Sequence, residues 1–201
     1  MIAQPDAALR RMITVATGPL TVAQYIALGE TEDGYTELVD GRLIMFPNSL
    51  IVHARASINL VMQLVGQLPD DLKVIPSMDV NLELAPPDKP GFVRRPDFVV
   101  IQRSALRRLD AEDGLIRATE VVLAVEVLSP VSRYTDSHTK RAEYAEAGIP
   151  FYWLVDLDEP ISLTPMHLTG ELGYQEAPAE TGVYEAVEPF PLKIQIDRLI
   201  D

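Results

Sequence analysis

The sequence predicts an α/β sandwich: a mixed sheet with helices on its faces. Three observations carry that expectation. Val121–Leu128 reads VVLAVEVL, a run apolar on both faces of a strand and broken only by Glu126; strands of that kind lie in the middle of a covered sheet. Helical patterns at Leu50–Leu68 and Arg133–Ala147 alternate with the strand runs, and such alternation packs helices on a sheet. The chain has 201 residues and a mass of 22.3 kDa, enough for one domain with its own core and no covalent staple. Residues 1–20 lack periodicity and read as an arm; residues 21–201 read as a single domain.

The elements follow in order. Thr21 caps a short helix, Val22–Leu28, which Gly29 stops. Tyr35–Val39 and Arg42–Phe46 flank Asp40-Gly41, the pairing that makes a tight hairpin. Pro47 ends it, and Ser49 is placed to cap the helix Leu50–Leu68, whose apolar residues recur at Ile51, Ile58, Met62 and Val65. Lys73–Leu84 reads as one strand, Ala85–Gly91 with three prolines as a loop, and Asp97–Ile101 as a short strand. Ser104–Leu109 forms a helical turn. Ser129-Pro130 stops the Val121 strand, Gly148 and Pro150 stop the Arg133 helix, and Phe151–Val155 is a second buried strand. Ile161–Tyr174 and Val183–Ile196 read as short strands with Pro/Gly turns.

Composition narrows the function. Hydrophobic residues make up 47%, charged residues 23%, and mean hydropathy is +0.08, a globular balance. The chain has no cysteine, which excludes a disulfide scaffold, thiolate zinc sites, iron–sulfur clusters and cysteine nucleophiles. No apolar run approaches the ~18 residues of a membrane span. Met1–Thr21 mixes Asp6, Arg10 and Arg11 into its apolar residues, unlike a signal peptide. The expectation is a soluble cytoplasmic protein with no membrane partner. A net charge of −13 opposes a chain that coats nucleic acid. However, residues 1–142 hold 15 of the 17 Lys+Arg and 18 of the 30 Asp+Glu, so most of the excess acid lies further on. Arg94, Arg95, Arg103, Arg107, Arg108 and Arg117 supply material for a local basic face.

Glu126 and Asp97 are the candidate chemistry. An ionised carboxylate inside an apolar strand is costly unless it is paired or binds a metal; the other outcome is a strand that twists it to a solvated rim. Asp97 follows Pro96 at a strand start and can equally be a turn residue. Together, on neighbouring strands about 4.8 Å apart, the two can share a magnesium ion, which takes one or two carboxylates plus waters and phosphate oxygens. Such an ion polarises a phosphodiester and acidifies bound water. Lys140, on the helix after the Glu126 strand, has Asp136 four residues earlier and Glu143 three later. It is either the cation of this centre or half of an exposed helix pair.

Several segments carry a resemblance: Arg95-Pro96-Asp97; AVEVLSP at 124–130; Ser132, Arg133, Asp136 and Lys140; and YAEAGIPFYWLVD at 144–156. They resemble the Uma-type restriction endonuclease family of the PD-(D/E)xK nuclease superfamily. YTELVDG at 35–41 is similar to that family's N-terminal hairpin, and His53 falls where the family often has histidine. The resemblance runs from about Tyr35 to Asp156; EVLSP followed by AGIPFYWLVD is its most specific part. It implies a restriction-endonuclease-like α/β (α+β) sandwich that hydrolyses nucleic-acid phosphodiesters, DNA in the first place, with Mg2+ or Mn2+. Asp97 and Glu126 would be metal ligands and the Val127 carbonyl a third. Glu37 is either a further acidic ligand or a hairpin residue. Leu128 stands where the superfamily has its lysine, which makes Lys140, on the next helix, its successor and the third catalytic residue beside Asp97 and Glu126. A homodimer follows by analogy. Two other expectations stand beside it: a non-catalytic protein that keeps this fold and binds protein through its acidic C-terminal region, and a metal-dependent phosphohydrolase acting on a small substrate.

Other candidates are weaker. His53, His138 and His167 lack zinc-site spacing, and His53 reads as a hydrogen-bonded structural residue. Ser129 has no nucleophile elbow and reads as a turn cap or phosphate contact. Tyr152 and Trp153 read as packing. Arg94, Arg95 and Arg133 are phosphate contacts by position only.

Overall fold

The apolar run around Glu126 is the centre of the molecule. The computed structural model describes residues 18–30, 34–47 and 50–201. In chain order these form α1 (Val22–Leu28), β1 (Tyr35–Val39), β2 (Arg42–Phe46), α2 (Ile51–Val65), β3 (Leu72–Pro76), β4 (Val80–Asn81), β5 (Val93–Arg94), β6 (Phe98–Gln102), α3 (Arg103–Ala111), β7 (Ile116–Arg117) and β8 (Val121–Val127). A widened helical turn, Thr135–Lys140, then runs into α4 (Arg141–Glu146), followed by β9 (Phe151–Asp156), β10 (Ser162–Leu168), β11 (Tyr174–Glu176), β12 (Val183–Ala186) and β13 (Leu192–Gln195).

The main sheet has the order β11-β10-β9-β8-β6-β3. β8 and β9 run parallel and the other neighbours antiparallel. A parallel neighbour requires a crossover, and the segment holding Lys140 supplies it. A second sheet, β2-β1-β5-β4-β7, stands beside the first, and β12 and β13 form a hairpin.

Both faces of β8 are covered. Leu123, Val125 and Val127 pack on Ala56, Leu60 and Leu64 of α2. Ala124 and Leu128 pack in the opposite layer with Tyr144, Ile149 and Tyr152. Side chains alternate along a strand, so Glu126 faces that second layer, 3% exposed. The solvated rim is ruled out for it. Each aliphatic side chain buried in these layers contributes roughly 1.5–3 kcal/mol, which holds the carboxylate against its desolvation.

Several elements differ from expectation. The strand Lys73–Leu84 is two strands in different sheets: Pro76 has no N–H to extend the ladder, and Ser77 turns the chain at φ 49°. The helix Arg133–Ala147 begins with the widened turn. α2 ends at Val65 because Gly66 follows, and the expected Ser49 cap lies outside the described residues, as do residues 1–17 of the expected arm. The end of that arm is tied down: Leu20 N–H donates to Gly41 O at 2.7 Å, and the Leu20 side chain packs with Tyr25, Leu38 and Val93. Gly41 must be glycine there, since its φ is +72° and a Cβ would stand 2.5 Å from Pro19 Cβ. The Thr21 cap holds, its hydroxyl accepting from Gln24 N–H at 3.2 Å. Among the described residues no helix is long and apolar enough to cross a membrane.

Candidate active site

The chain passes from the second sheet to the first across Arg95-Pro96-Asp97, between β5 and β6. Asp97 therefore sits at the seam, level with the end of β8. Its Oδ2 accepts the Val127 N–H at 2.7 Å. His53, from the inner face of α2, sets its Nε2 2.8 Å from Val127 O and 3.2 Å from Asp97 Oδ2. Junction, strand and helix are thus pinned at one point.

One residue back along β8, Glu126 Oε1 accepts from Lys140 Nζ at 2.8 Å and from Tyr144 OH at 2.9 Å. Asp136, Lys140 and Tyr144 all point inward, 0–2% exposed. A regular α-helix rotates a residue four positions on by about 40° past one turn. The wide turn at Thr135–Lys140 takes up part of that drift, so all three stay on the inner face. Of the two readings of Lys140, the exposed helix pair is excluded: it is a buried cation, with Asp136 Oδ1 3.3 Å from the ammonium.

Behind Lys140 lies a second ring of charge. Glu37 Oε1 is 3.1 Å from Lys140 Nζ and accepts the Arg95 N–H at 3.1 Å. Its Oε2 accepts from Arg94 at 2.7 Å. The Arg94 guanidinium grips Glu143 through two bonds of 2.6 and 2.8 Å.

The electrostatics follow from this packing. Burial pushes the Glu126 carboxyl well above the usual carboxylate range; Lys140 pulls it back, while Asp136, Asp97 and Glu37 push further up. Burial likewise raises Asp136. Burial acts against charge on Glu37 too, but Lys140 and Arg94 overcome it and hold that carboxyl low. Lys140 is held well above the ordinary lysine value: burial opposes its charge, and Glu126, Glu37 and Asp136 outweigh burial. His53 is raised because the bond and charge of Asp97 outweigh its burial. Carboxylates outnumber cations here, and the cluster favours an added positive charge.

A cavity of about 290 Å³ opens onto this cluster, lined by His53, Asp97, Glu126, Asp136 and Lys140 on one side and by Tyr35, Phe46 and Leu50 on the other. The larger cavity of about 580 Å³, between β9, β10 and the C-terminal hairpin, lies away from the cluster on chiefly apolar residues such as Phe151, Trp153 and Met166. Among the described residues no group of three or more His, Asp and Glu side chains is set to hold a metal ion. The donor set is smaller: among the described residues nothing donates to Asp97 Oδ1 or Glu126 Oε2, and the Val127 carbonyl keeps a second lone pair. Two carboxylates and a carbonyl lie within what magnesium uses.

The structure thus brings Asp97, Glu126, Val127 and Lys140 together. Of the two readings of Glu37, its place on β1 of the hairpin, buried among cations, fits the hairpin residue. Both its oxygens are committed to cations and backbone, which leaves none for a metal. The phosphate-contact readings of three arginines are corrected for the same reason. Arg94 is 1% exposed between Glu37 and Glu143, Arg95 pairs with Asp79 and Glu30, and Arg133 with Asp156 and Asp158. Ser129 caps its turn, its hydroxyl accepting the Ser132 N–H at 3.1 Å. Tyr152 and Trp153 are core residues. Sequence reasoning undervalued His53, which is structural and within the site at once, and missed the inward roles of Asp136 and Tyr144. The four-residue spacing of Asp136, Lys140 and Tyr144 was the available signal.

Residues 22–198 match the family model Uma2, described as "Putative restriction endonuclease". No curated protein matches the chain. Among solved structures, the chain resembles one described as a "putative nuclease belonging to DUF820" from Anabaena variabilis, with 19% identity and a TM-score of 0.64, over 90% of this chain and 98% of that one. That likeness shows the fold.

Proposed function

Because the chain belongs to the Uma2 restriction endonuclease family, we propose that it is a metal-dependent endonuclease that hydrolyses phosphodiester bonds of nucleic acid, DNA in the first place. One observation carries the reading: Asp97 and Glu126 each keep an oxygen free of hydrogen bonds while lining one cavity with the Lys140 ammonium. Acceptors in such a place are completed by water or by an ion, and the cavity is open to either. Asp97, Glu126 and the Val127 carbonyl would hold Mg2+ or Mn2+, which when bound polarises the scissile phosphate and lowers the pKa of a water.

The chain's own residues do the rest. Lys140 and Tyr144 both bond Glu126 Oε1 and so turn its other oxygen toward the cavity. His53 and the Val127 N–H fix Asp97 in the same way. Lys140 keeps its proton and places a fixed positive charge beside the site of developing negative charge. Glu37, tied to Arg94, holds that ammonium in place. The apolar wall of Tyr35, Phe46 and Leu50 limits water.

The test is a cleavage assay on plasmid DNA, linear DNA and RNA with Mg2+ or Mn2+, wild type against Glu126→Ala. Metal-dependent cleavage that the variant lacks supports the reading; no cleavage of any substrate overturns it. The expected homodimer has one support. On the outer face of α2, Ile51, Ile58, Met62 and Val65 are more than half exposed, an apolar patch of the kind that two copies can share across a twofold axis. Sedimentation of wild type and Ile58→Glu checks it.

A further inference from the structure

We propose that Asp136 takes the proton of the attacking water and is the base of this centre. The inference rests on the nuclease reading and goes beyond it. Asp136 is 1% exposed, yet among the described residues nothing donates a hydrogen bond to its Oδ1. Lys140 Nζ stands 3.3 Å away, but its aligned bond goes to Glu126. A buried acceptor left without a donor is costly, and native proteins keep one where a water or an ion completes it. Asp136 lines the same cavity as Asp97 and Glu126. The place is polar enough for water, which needs two to four partners: Asp136, Lys140, Ser129 and Ser132 all line it.

The other candidates are already engaged. The Lys140 ammonium is already occupied by the carboxylates of Glu126 and Glu37, at 2.8 and 3.1 Å. Both oxygens of Glu37 accept hydrogen bonds, from the Arg95 N–H and from Arg94, and both oxygens of Glu143 accept from Arg94. His53 Nε2 is held on Val127 O and Asp97. Asp97 and Glu126 spend one oxygen each on protein donors, and their other oxygens would hold the metal. Asp136 is held firmly in place, since its backbone carbonyl accepts from Tyr152 OH at 2.9 Å, within the widened turn. Such turns inside helices recur at functional sites. The step balances. The water oxygen bonds phosphorus, the bond from phosphorus to the leaving sugar oxygen breaks, the water proton passes to Asp136 Oδ1, and the leaving oxygen takes a proton from solvent.

The experiment uses the full chain with plasmid DNA and Mg2+, and compares wild type, Asp136→Asn and Asp136→Ala. A positioned base is worth about 10²–10⁴-fold in rate. Asp136→Asn should therefore lose at least about a hundredfold in kcat with KM nearly unchanged, and Mn2+ titrated by calorimetry should bind as in wild type. Formate, a small carboxylate, should restore part of the Asp136→Ala rate and leave wild type unaffected, a rescue that no purely structural role predicts. Near-native cleavage by Asp136→Asn overturns the proposal. So does loss of Mn2+ binding in that variant, which makes Asp136 a metal ligand, and so does a folded Asp136→Ala that formate does not rescue. If Asp136→Ala does not fold, Asp136→Asn decides alone. A wild type inactive on every nucleic acid overturns both this proposal and the nuclease reading, whereas an active wild type with an active Asp136→Asn overturns only this one.

Discussion

Replacing Lys140 by methionine keeps most of the apolar stem and removes the charge. Its ammonium lies 2.8 Å from Glu126, 3.1 Å from Glu37 and 3.3 Å from Asp136, in a side chain 2% exposed. Breaking a buried pair from one side costs about 3–5 kcal/mol, because the partner charge is left uncompensated. In a chain of this size each kcal/mol moves Tm by about 2–4 °C, so a fall of order 10 °C is expected near pH 8. The sign with pH follows from the carboxylates. Without Lys140, Glu126, Glu37 and Asp136 all lose the influence that lowers them, so their folded values rise. A carboxyl raised in the folded state contributes stability that is fully present below its unfolded value of about 4.5 and is lost as pH rises through the folded value. The Lys140→Met deficit should therefore be smaller at pH 5 than at pH 8. Thermal unfolding at both pH values measures it. Cleavage should fall by at least about a hundredfold, roughly 3 kcal/mol of transition-state stabilisation. A Tm loss under about 2 °C, or one equal at both pH values, would contradict the buried-cation account.

Glu126→Gln removes a carboxylate that pairs with Lys140 at 2.8 Å although burial opposes its ionisation; calorimetry with Mn2+ should show no binding to the variant, and its loss of Tm at pH 8 should be smaller than that of Lys140→Met, because burial already opposes the charge it removes and Glu37 and Asp136 still face the ammonium. Mn2+ binding retained by the variant, or a Tm loss larger than that of Lys140→Met, would count against that account. Arg94→Met strands Glu37 and Glu143 inside the protein and should cost about 3–5 kcal/mol in a denaturant titration, while Arg133→Ala, at a side chain 40% exposed, should cost less than about 1 kcal/mol. Nucleic-acid affinity should fall steeply as salt rises despite the net charge of −13, because local cations displace counterions; a flat salt dependence in a filter-binding assay would argue against a phosphate contact.

Much of the fold is legible because local chemistry and burial agree. VVLAVEVL can only be a strand covered on both faces, and the Asp40-Gly41 turn and the Thr21 cap follow from backbone preference alone. Lys73–Leu84 misled because alternation persists across a change of sheet: β3 and β4 bury side chains on unrelated surfaces, and only the turn at Ser77 separates them. Arg94, Arg95 and Arg133 misled because an arginine near a candidate site looks the same in sequence whether it meets phosphate or a carboxylate from a distant strand.

The order of residues alone marks which of them carry charge into the core: Glu126 by its place in an apolar run, Asp97 by its place before another strand, and Lys140 by the family resemblance of its helix. It leaves open what those charges meet, since ion pairs across the seam of two sheets join residues as far apart as Glu37 and Lys140. Folding the elements together is what makes Lys140 a buried cation, closes Glu37 against Arg94, places His53 on Val127 and leaves one Asp136 oxygen without a donor. Each of these rests on distances of about 3 Å between separate elements, and charges interact too steeply with distance and burial for spacing along the chain to settle them.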